Sequence, residues 1–90
     1  MTLAQIKAMF QLGQRWHGIR NCSHPEKVRN EMRTVVQIRS REVVFELPNG
    51  TLWHTQLPKA SEVKEARPGF LRFGYAFNPD IEVILTLETV

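Results

Sequence analysis

The amino-acid sequence predicts a mainly β (α+β) fold, in which one N-terminal helix precedes a small antiparallel sheet of about six strands. Residues 2–12 show a helical repeat of apolar side chains, and residues 14–88 form short alternating runs separated by turns. Ninety residues are too few for two hydrophobic cores, so we expect one domain, residues 1–90. We expect the sheet to curl into an SH3-like barrel. A plain sheet with the helix packed on one face is the alternative.

The N-terminal helix is predicted within residues 1–13, with a glycine at the last position to end it. Thr2 is the predicted N-cap, and Gln5, three residues later, completes a capping box. Apolar side chains recur along one side of this segment and include Ile6 and Phe10. Because this stripe is short and narrow, we expect the helix to cover the sheet rather than to bind a partner.

The strands are organised around a predicted hairpin at residues 41–57. Val43, Phe45 and Leu47 alternate with other side chains, which is the period of a half-buried strand. Residues 48–50 are Pro-Asn-Gly, and this tripeptide is typical of a tight turn because it tolerates the backbone angles that a turn requires. The hairpin therefore supplies two neighbouring strands of the sheet.

The other strands are predicted at residues 14–22, 34–39, 70–77 and 81–88. Residues 21–32 are polar and lack the period of a strand, so they predict a long exposed loop. This loop region holds Lys27 and Arg29, with Arg33 at its end. Residues 61–66 begin with a serine that can cap a helix, and they predict a single helical turn before the penultimate strand.

The net charge of +3 conceals an uneven distribution. Residues 1–41 contain eight basic and two acidic side chains, a balance of +6, whereas residues 42–90 contain four basic and seven acidic ones, a balance of −3. If the fold separates these halves, one face attracts anions. The alternative interpretation is that the arginines are scattered around the sheet and are simply solvated.

The leading functional hypothesis is a non-enzymatic module whose basic face binds nucleic acid or another phosphate-rich ligand. The chain has eight arginines against four lysines, and arginine suits bidentate contact with phosphate. The basic side chains nearest the N-terminus would neutralise phosphates, and Trp53 would stack on a base. The predicted ligand-binding residues are Arg15, Arg20, Lys27, Arg29, Arg33, Arg39, Arg41 and Trp53.

A metal or catalytic site is not favoured by the residue pattern. Cys22 and His24 are two residues apart, and His17 and His54 are the other histidines, but this spacing matches no paired-ligand zinc motif. A nucleophilic cysteine would also need a group that orients its histidine, and the sequence indicates none. We therefore predict no enzyme activity, no metal and no cofactor. The lone cysteine also excludes an internal disulfide.

Residues 72–77 (RFGYAF) are similar to the aromatic strand of RNA-recognition domains, in which alternate aromatic side chains stack on bases. The glycine expected after the basic residue is missing, and too little chain follows for that fold. We therefore favour a core row that includes Phe73, Tyr75 and Phe77. Of the two tryptophans, Trp16 is assigned to the core and Trp53 is the candidate for an exposed aromatic side chain.

Four short segments resemble small proteins encoded by phages and prophages. They are residues 13–16 (GQxW), 33–35 (RTV), 58–63 (PKASEV) and 85–87 (LTL). The resemblance implies action inside a bacterial host, on nucleic acid or on host machinery. The alternative function is a protein-binding inhibitor or adapter directed at a host protein such as an antiviral defence factor. Its interface would be an exposed apolar or edge-strand patch with Trp53, His54 and residues 58–69, or the basic face docked on an acidic host protein.

The N-terminal sequence lacks the apolar run and cleavage site of a secretory signal, and no segment contains about 20 apolar residues. We therefore expect a cytoplasmic protein, in a bacterium or an infected cell, without contact with a membrane. An exposed edge strand would allow a homodimer.

Overall fold

The computed structural model describes residues 2–21 and 29–88, and it is mainly β. Its elements are α1 (Leu3–Lys7), β1 (Arg15–Asn21), β2 (Arg29–Ile38), β3 (Glu42–Glu46), β4 (Leu52–Gln56), a 3-10 turn (Ala60–Glu62), β5 (Val63–Arg67), β6 (Phe70–Tyr75) and β7 (Asn78–Leu87). The described strands form one antiparallel sheet in the order β4-β3-β2-β1-β7-β6-β5. The mainly β prediction is confirmed. The sheet is open, with β4 and β5 at its edges, so these strands do not close into the expected SH3-like barrel.

The open sheet is strongly curled around a single hydrophobic core. Trp16, Phe45 and Phe73 come from three different strands, and all three are fully buried. The curl brings the end of β6 towards β4, where the Tyr75 hydroxyl donates a hydrogen bond of 2.8 Å to the backbone carbonyl of Gln56. Strands that are distant in the sheet order therefore face one another across the concave side.

The predicted central hairpin is confirmed. Val43, Phe45 and Leu47 are buried as predicted, but Val44 between them is also only 1% exposed, so the middle of β3 is covered on both faces and is not half-buried. Gly50 has a positive φ of 85°, which glycine adopts without strain, and its backbone N–H donates to the carbonyl of Leu47 at 2.9 Å. The Asn49 side chain accepts a hydrogen bond from the backbone N–H of Thr51 at 3.0 Å, so side chain and backbone together define the turn.

The N-terminal helix begins as predicted but is much shorter than residues 1–13. Thr2 and Gln5 form the predicted capping box, whereas the helix ends at Lys7. It ends early because the chain turns inward to bury Phe10, whose ring centroid lies 4.8 Å from that of Trp16. With five residues, α1 cannot cross a membrane, and the described part of the chain has no longer helix.

Residues 61–66 do not form the predicted helical turn. A 3-10 turn ends at Glu62, and β5 then pairs with β6. Val63 and Ala66 pack against the core from this strand. Local sequence preference for a helix is overridden because strand pairing satisfies the backbone groups of β5 and also covers the core.

The predicted long loop after β1 is also corrected. Residues 29–32 belong to β2, which pairs with β1 from Arg15 opposite Thr34 to Arg20 opposite Arg29. Arg29 and Arg33 therefore lie on a strand rather than in a loop. Lys27 lies outside the described residues.

Candidate functional site

A pocket with a volume of about 170 Å³ lies on the concave side of the sheet. It is formed by strands that are far apart in the sequence, because the curl brings β4 and β6 to the same side as β1 and β2. Its walls combine arginine and aromatic side chains, and we call it the arginine–aromatic pocket. The lining residues on which its chemistry depends are Arg20, Arg33, Trp53, Thr55, Tyr75 and Phe77.

Arg20 and Trp53 form one wall of this pocket. Arg20 lies on β1, on the same side as the buried Trp16, and Trp53 lies on β4 opposite Phe45. The guanidinium carbon of Arg20 lies 5.5 Å from the ring centroid of Trp53, which is within the range of a cation–π contact. The contact holds a positive charge beside a large aromatic surface.

Arg33 is a second arginine of the pocket and is only 4% exposed. It pairs with Trp16 across the β1–β2 ladder, and its guanidinium carbon lies 5.5 Å from the ring centroid of Phe45. Gly18 makes room for it, because a Cβ atom at that position would lie 2.4 Å from the same guanidinium carbon. The small residue on β1 therefore fixes the place of the buried charge.

Tyr75 and Phe77 form the opposite wall. Their rings are stacked, with centroids 5.0 Å apart and an angle of 27° between the planes. Burial raises the pKa of Tyr75 to about 12, so its hydroxyl remains a hydrogen-bond donor to Gln56 at neutral pH. Phe77 is 72% exposed, which overturns its assignment to the core row; Phe73 is buried, as predicted. The difference arises because β6 ends at Tyr75 and Phe77 lies in the turn that follows.

The turn that presents Phe77 is held by the carboxylate of Glu62. One carboxylate oxygen accepts a hydrogen bond from the backbone N–H of Lys59 at 2.7 Å, and the other accepts from the N–H of Ala76 at 2.6 Å. We call this arrangement the Glu62 bridge. These two backbone hydrogen bonds lower the pKa of Glu62 below its usual value, since both favour the charged form. The bridge ties the β4–β5 connection to the β6–β7 turn.

Thr55 contributes a buried hydroxyl to the pocket. Its residue is 5% exposed, and among the described residues the hydroxyl oxygen has no hydrogen-bond partner. Buried polar groups are usually paired, because an unpaired one loses its hydration without compensation. The hydroxyl can donate to or accept from a ligand group in the pocket.

Arg15, Arg39 and Arg41 do not line the pocket. Arg15 forms an ion pair with Glu88 at 3.2 Å, and Arg39 forms one with Glu42 at 3.1 Å. Arg41 lies with Arg39 and Glu42 around a separate surface depression. The backbone of Arg29 is opposite Arg20 in the ladder, and Lys27 lies outside the described residues. Of the six predicted residues whose side chains the structure describes, three line the pocket together: Arg20, Arg33 and Trp53.

The histidines do not assemble a metal site with other described residues. The Nδ1 atom of His54 lies 3.1 Å from a carboxylate oxygen of Glu42, which also pairs with Arg39. Within residues 2–21 and 29–88, no three histidine, cysteine, aspartate or glutamate side chains are grouped closely enough to hold a metal ion. Cys22 and His24 lie outside these residues, so the considered Cys–His pairing is not tested.

Sequence reasoning did not assign Thr55, Tyr75 or Phe77 to the site. The aromatic run at 72–77 gave the only signal, and its alternation favoured the core. Nothing local indicates that β6 ends at Tyr75 or that the curl carries its end to β4.

Comparison of the chain with protein-family models, curated proteins and solved structures finds no match. The predicted phage context, host-protein partner, edge-strand dimer and cytoplasmic location stay predictions. The pocket offers two cationic planar groups, aromatic surfaces and one buried hydroxyl.

Proposed function

We propose that this protein is a non-enzymatic binding module that binds nucleic acid or another phosphate-rich ligand through the arginine–aromatic pocket. The observation that supports the proposal is the convergence of Arg20, Arg33 and Trp53 on one concave surface. Guanidinium groups suit phosphate because their planar donors match its oxygens, and the aromatic rings that line the pocket offer flat surfaces to a base. The pocket therefore has groups that are complementary to both the phosphate and the base of a nucleotide.

The pocket arginines are less exposed than the other predicted arginines whose side chains the structure describes. Arg33 is 4% exposed and Arg20 is partly buried, and charges attract one another more strongly where water is excluded. The Arg15 and Arg39 side chains are more than half exposed, so water and salt screen their charges more strongly. The two groups of arginines are therefore expected to differ in binding.

The size of the pocket limits what enters it. Its volume of about 170 Å³ is below the roughly 300–1,000 Å³ of sites that enclose a drug-sized ligand. The pocket therefore suits one phosphate group or one base, with the rest of the ligand lying across the surface. This is the geometry of a module that binds part of a larger molecule.

The test is to compare arginine variants that change the net charge equally. End-labelled oligonucleotides are titrated at low salt, and binding is followed by fluorescence anisotropy. Arg20→Ala is expected to weaken binding about ten- to a hundredfold, because a charge-assisted hydrogen bond contributes about 1.5–3 kcal/mol. Arg15→Ala and Arg39→Ala are the matched controls and should change affinity little. Equal losses in all three variants, or no binding by the unaltered protein, would contradict the proposal.

Arg33 needs a different variant, because removing a buried side chain can destabilise the fold. Gly18→Ala keeps the charge but places a methyl group where the Arg33 guanidinium lies, and that flexible group can move aside. We expect this variant to retain a folded thermal transition and to bind as weakly as Arg20→Ala. If Gly18→Ala binds normally, Arg33 is not a ligand residue.

A further inference from the structure

We infer that the unit recognised by the pocket is an unpaired nucleotide, with its base stacked on Phe77 and its phosphate directed to Arg20 and Arg33. This inference rests on the proposed function and narrows its ligand class. It assigns a binding role to Phe77, which the sequence pattern had placed in the core. It also predicts that the pocket binds single-stranded nucleic acid more tightly than double-stranded nucleic acid.

Phe77 is placed as a preformed stacking surface. It is 72% exposed, although large aromatic side chains are mostly buried in folded proteins. It is not loosely attached, because its ring stacks on Tyr75 at 5.0 Å and the Glu62 bridge holds the preceding residue, Ala76. A side chain that is ordered before binding loses less conformational entropy on binding. An incoming base would extend an aromatic stack that already exists.

Trp53 is less suited to be the main stacking surface. It is half-buried, and the Arg20 guanidinium lies over its ring at 5.5 Å. Trp53 therefore positions the charge of Arg20, whereas Phe77 lies at the outer rim of the pocket and presents an exposed ring. Trp53 therefore positions the arginine that contacts the phosphate, whereas Phe77 stacks on the base.

The concave shape favours an unpaired base over a duplex. In double-stranded DNA the faces of the bases are stacked on one another, and only their edges are accessible in the grooves. Proteins read those edges with a protruding helix or strand pair, whereas this site is a cavity walled by β4 and β6. An unpaired base exposes its flat face and is recognised by stacking on aromatic side chains.

Two kinds of ligand contain this recognised unit: a single-stranded nucleic acid and a free nucleotide. Both present a planar base joined to a phosphate, so both are complementary to the same pocket. A nucleic acid extends beyond a cavity of about 170 Å³, and its affinity should rise with the number of nucleotides. A free nucleotide should compete fully at the same site and show no such dependence on length.

The experiment uses the full chain and four probes: single-stranded DNA and RNA of mixed sequence, a duplex of the same sequence, and adenosine monophosphate as a competitor. Binding is followed by anisotropy. The Phe77→Ala variant is compared with Leu12→Ala, which removes an apolar side chain of similar exposure, 66%, outside the pocket. Thermal unfolding shows that both variants are folded, and Phe77→Trp tests whether another aromatic ring restores binding.

We expect the unaltered protein to bind a single strand or the nucleotide more tightly than the duplex. Phe77→Ala should weaken that binding about five- to a hundredfold, because stacking of one base contributes about 1–3 kcal/mol. Leu12→Ala should bind normally, and Phe77→Trp should restore affinity.

Two results would overturn the inference. If the duplex binds as tightly as the single strand, or Phe77→Ala behaves like Leu12→Ala while Arg20→Ala still weakens binding, the unpaired nucleotide is not the recognised unit. The proposed phosphate-binding function would then stand alone. If neither the oligonucleotides nor the nucleotide bind at all, both proposals fail.

Discussion

A guanidinium group stays charged at any pH at which a protein folds, so the burial of Arg33 needs compensation from its surroundings. Part of this compensation is the ring of Phe45, whose centroid lies 5.5 Å away. The absence of a side chain at Gly18 leaves space for the guanidinium group beside β1. The buried guanidinium is thus held in a defined place on the concave side of the sheet.

Tyr75 permits a direct test of the pocket wall, because it is the only tyrosine in the chain. Burial raises its pKa to about 12, so phenolate absorbance should appear about two pH units later in the folded protein than in the unfolded one, in which tyrosine titrates near pH 10. The raised pKa means that this residue supports stability fully below about pH 10, and that its contribution is lost as the pH rises towards 12. Spectrophotometric titration with and without urea measures both midpoints. Identical midpoints would show that the hydroxyl is exposed to solvent.

At the scale of elements, the Glu62 bridge joins two connections that are distant in the sequence. Its lowered pKa indicates that folding favours the carboxylate, so it stabilises the fold above the usual value of 4.5 and loses this contribution as the pH falls through the lower folded value. Glu62→Gln keeps an acceptor oxygen but removes the titration. We expect this variant to be less stable than the unaltered protein at neutral pH and equally stable in acid. Chemical denaturation at neutral pH and at a series of successively lower pH values measures the difference.

The matched control for this prediction is Glu46→Gln, which replaces an exposed carboxylate on β3. It should leave stability at neutral pH almost unchanged, because this carboxylate is exposed. Glu82, whose pKa is also lowered, by Lys64 and Arg72, is present in every variant and therefore cancels in the comparison. If the Glu62→Gln and Glu46→Gln variants show the same acid response, the bridge does not stabilise the turn that presents Phe77.

The elements that the sequence predicts well are those determined by nearby residues. The hairpin around Gly50 and the capping box of Thr2 with Gln5 follow from local turn and cap chemistry. The length of α1 and the strand at residues 63–67 do not follow from local chemistry. Each depends on contacts with another part of the chain. Phe10 leaves the helical path to pack on Trp16, and β5 exists because β6 offers it a partner.

At the scale of the whole molecule, the uneven charge along the chain did not predict which basic residues come together. Arg20 and Arg33 share the pocket because β1 and β2 pair in a specific register. Trp53 joins them only through the curl of the sheet. Arg15 and Arg39 were equally good candidates by charge, but the fold places them beside Glu88 and Glu42. The charge pattern of the sequence thus identifies candidate arginines, while strand register and curvature determine which of them share the pocket.

The salt dependence of binding tests whether phosphates contact only the two pocket arginines, Arg20 and Arg33, in solution. Each phosphate neutralised on a single strand contributes about −0.7 to the slope of log affinity against log salt. Two contacts, through Arg20 and Arg33, predict a slope of about −1.4, whereas contacts through all seven predicted basic residues would give about −5. Arg20→Ala should make the slope shallower by about 0.7, and Arg39→Ala should leave it unchanged. A slope steeper than about −3 in the unaltered protein would show that phosphates contact a broad basic face instead of the pocket.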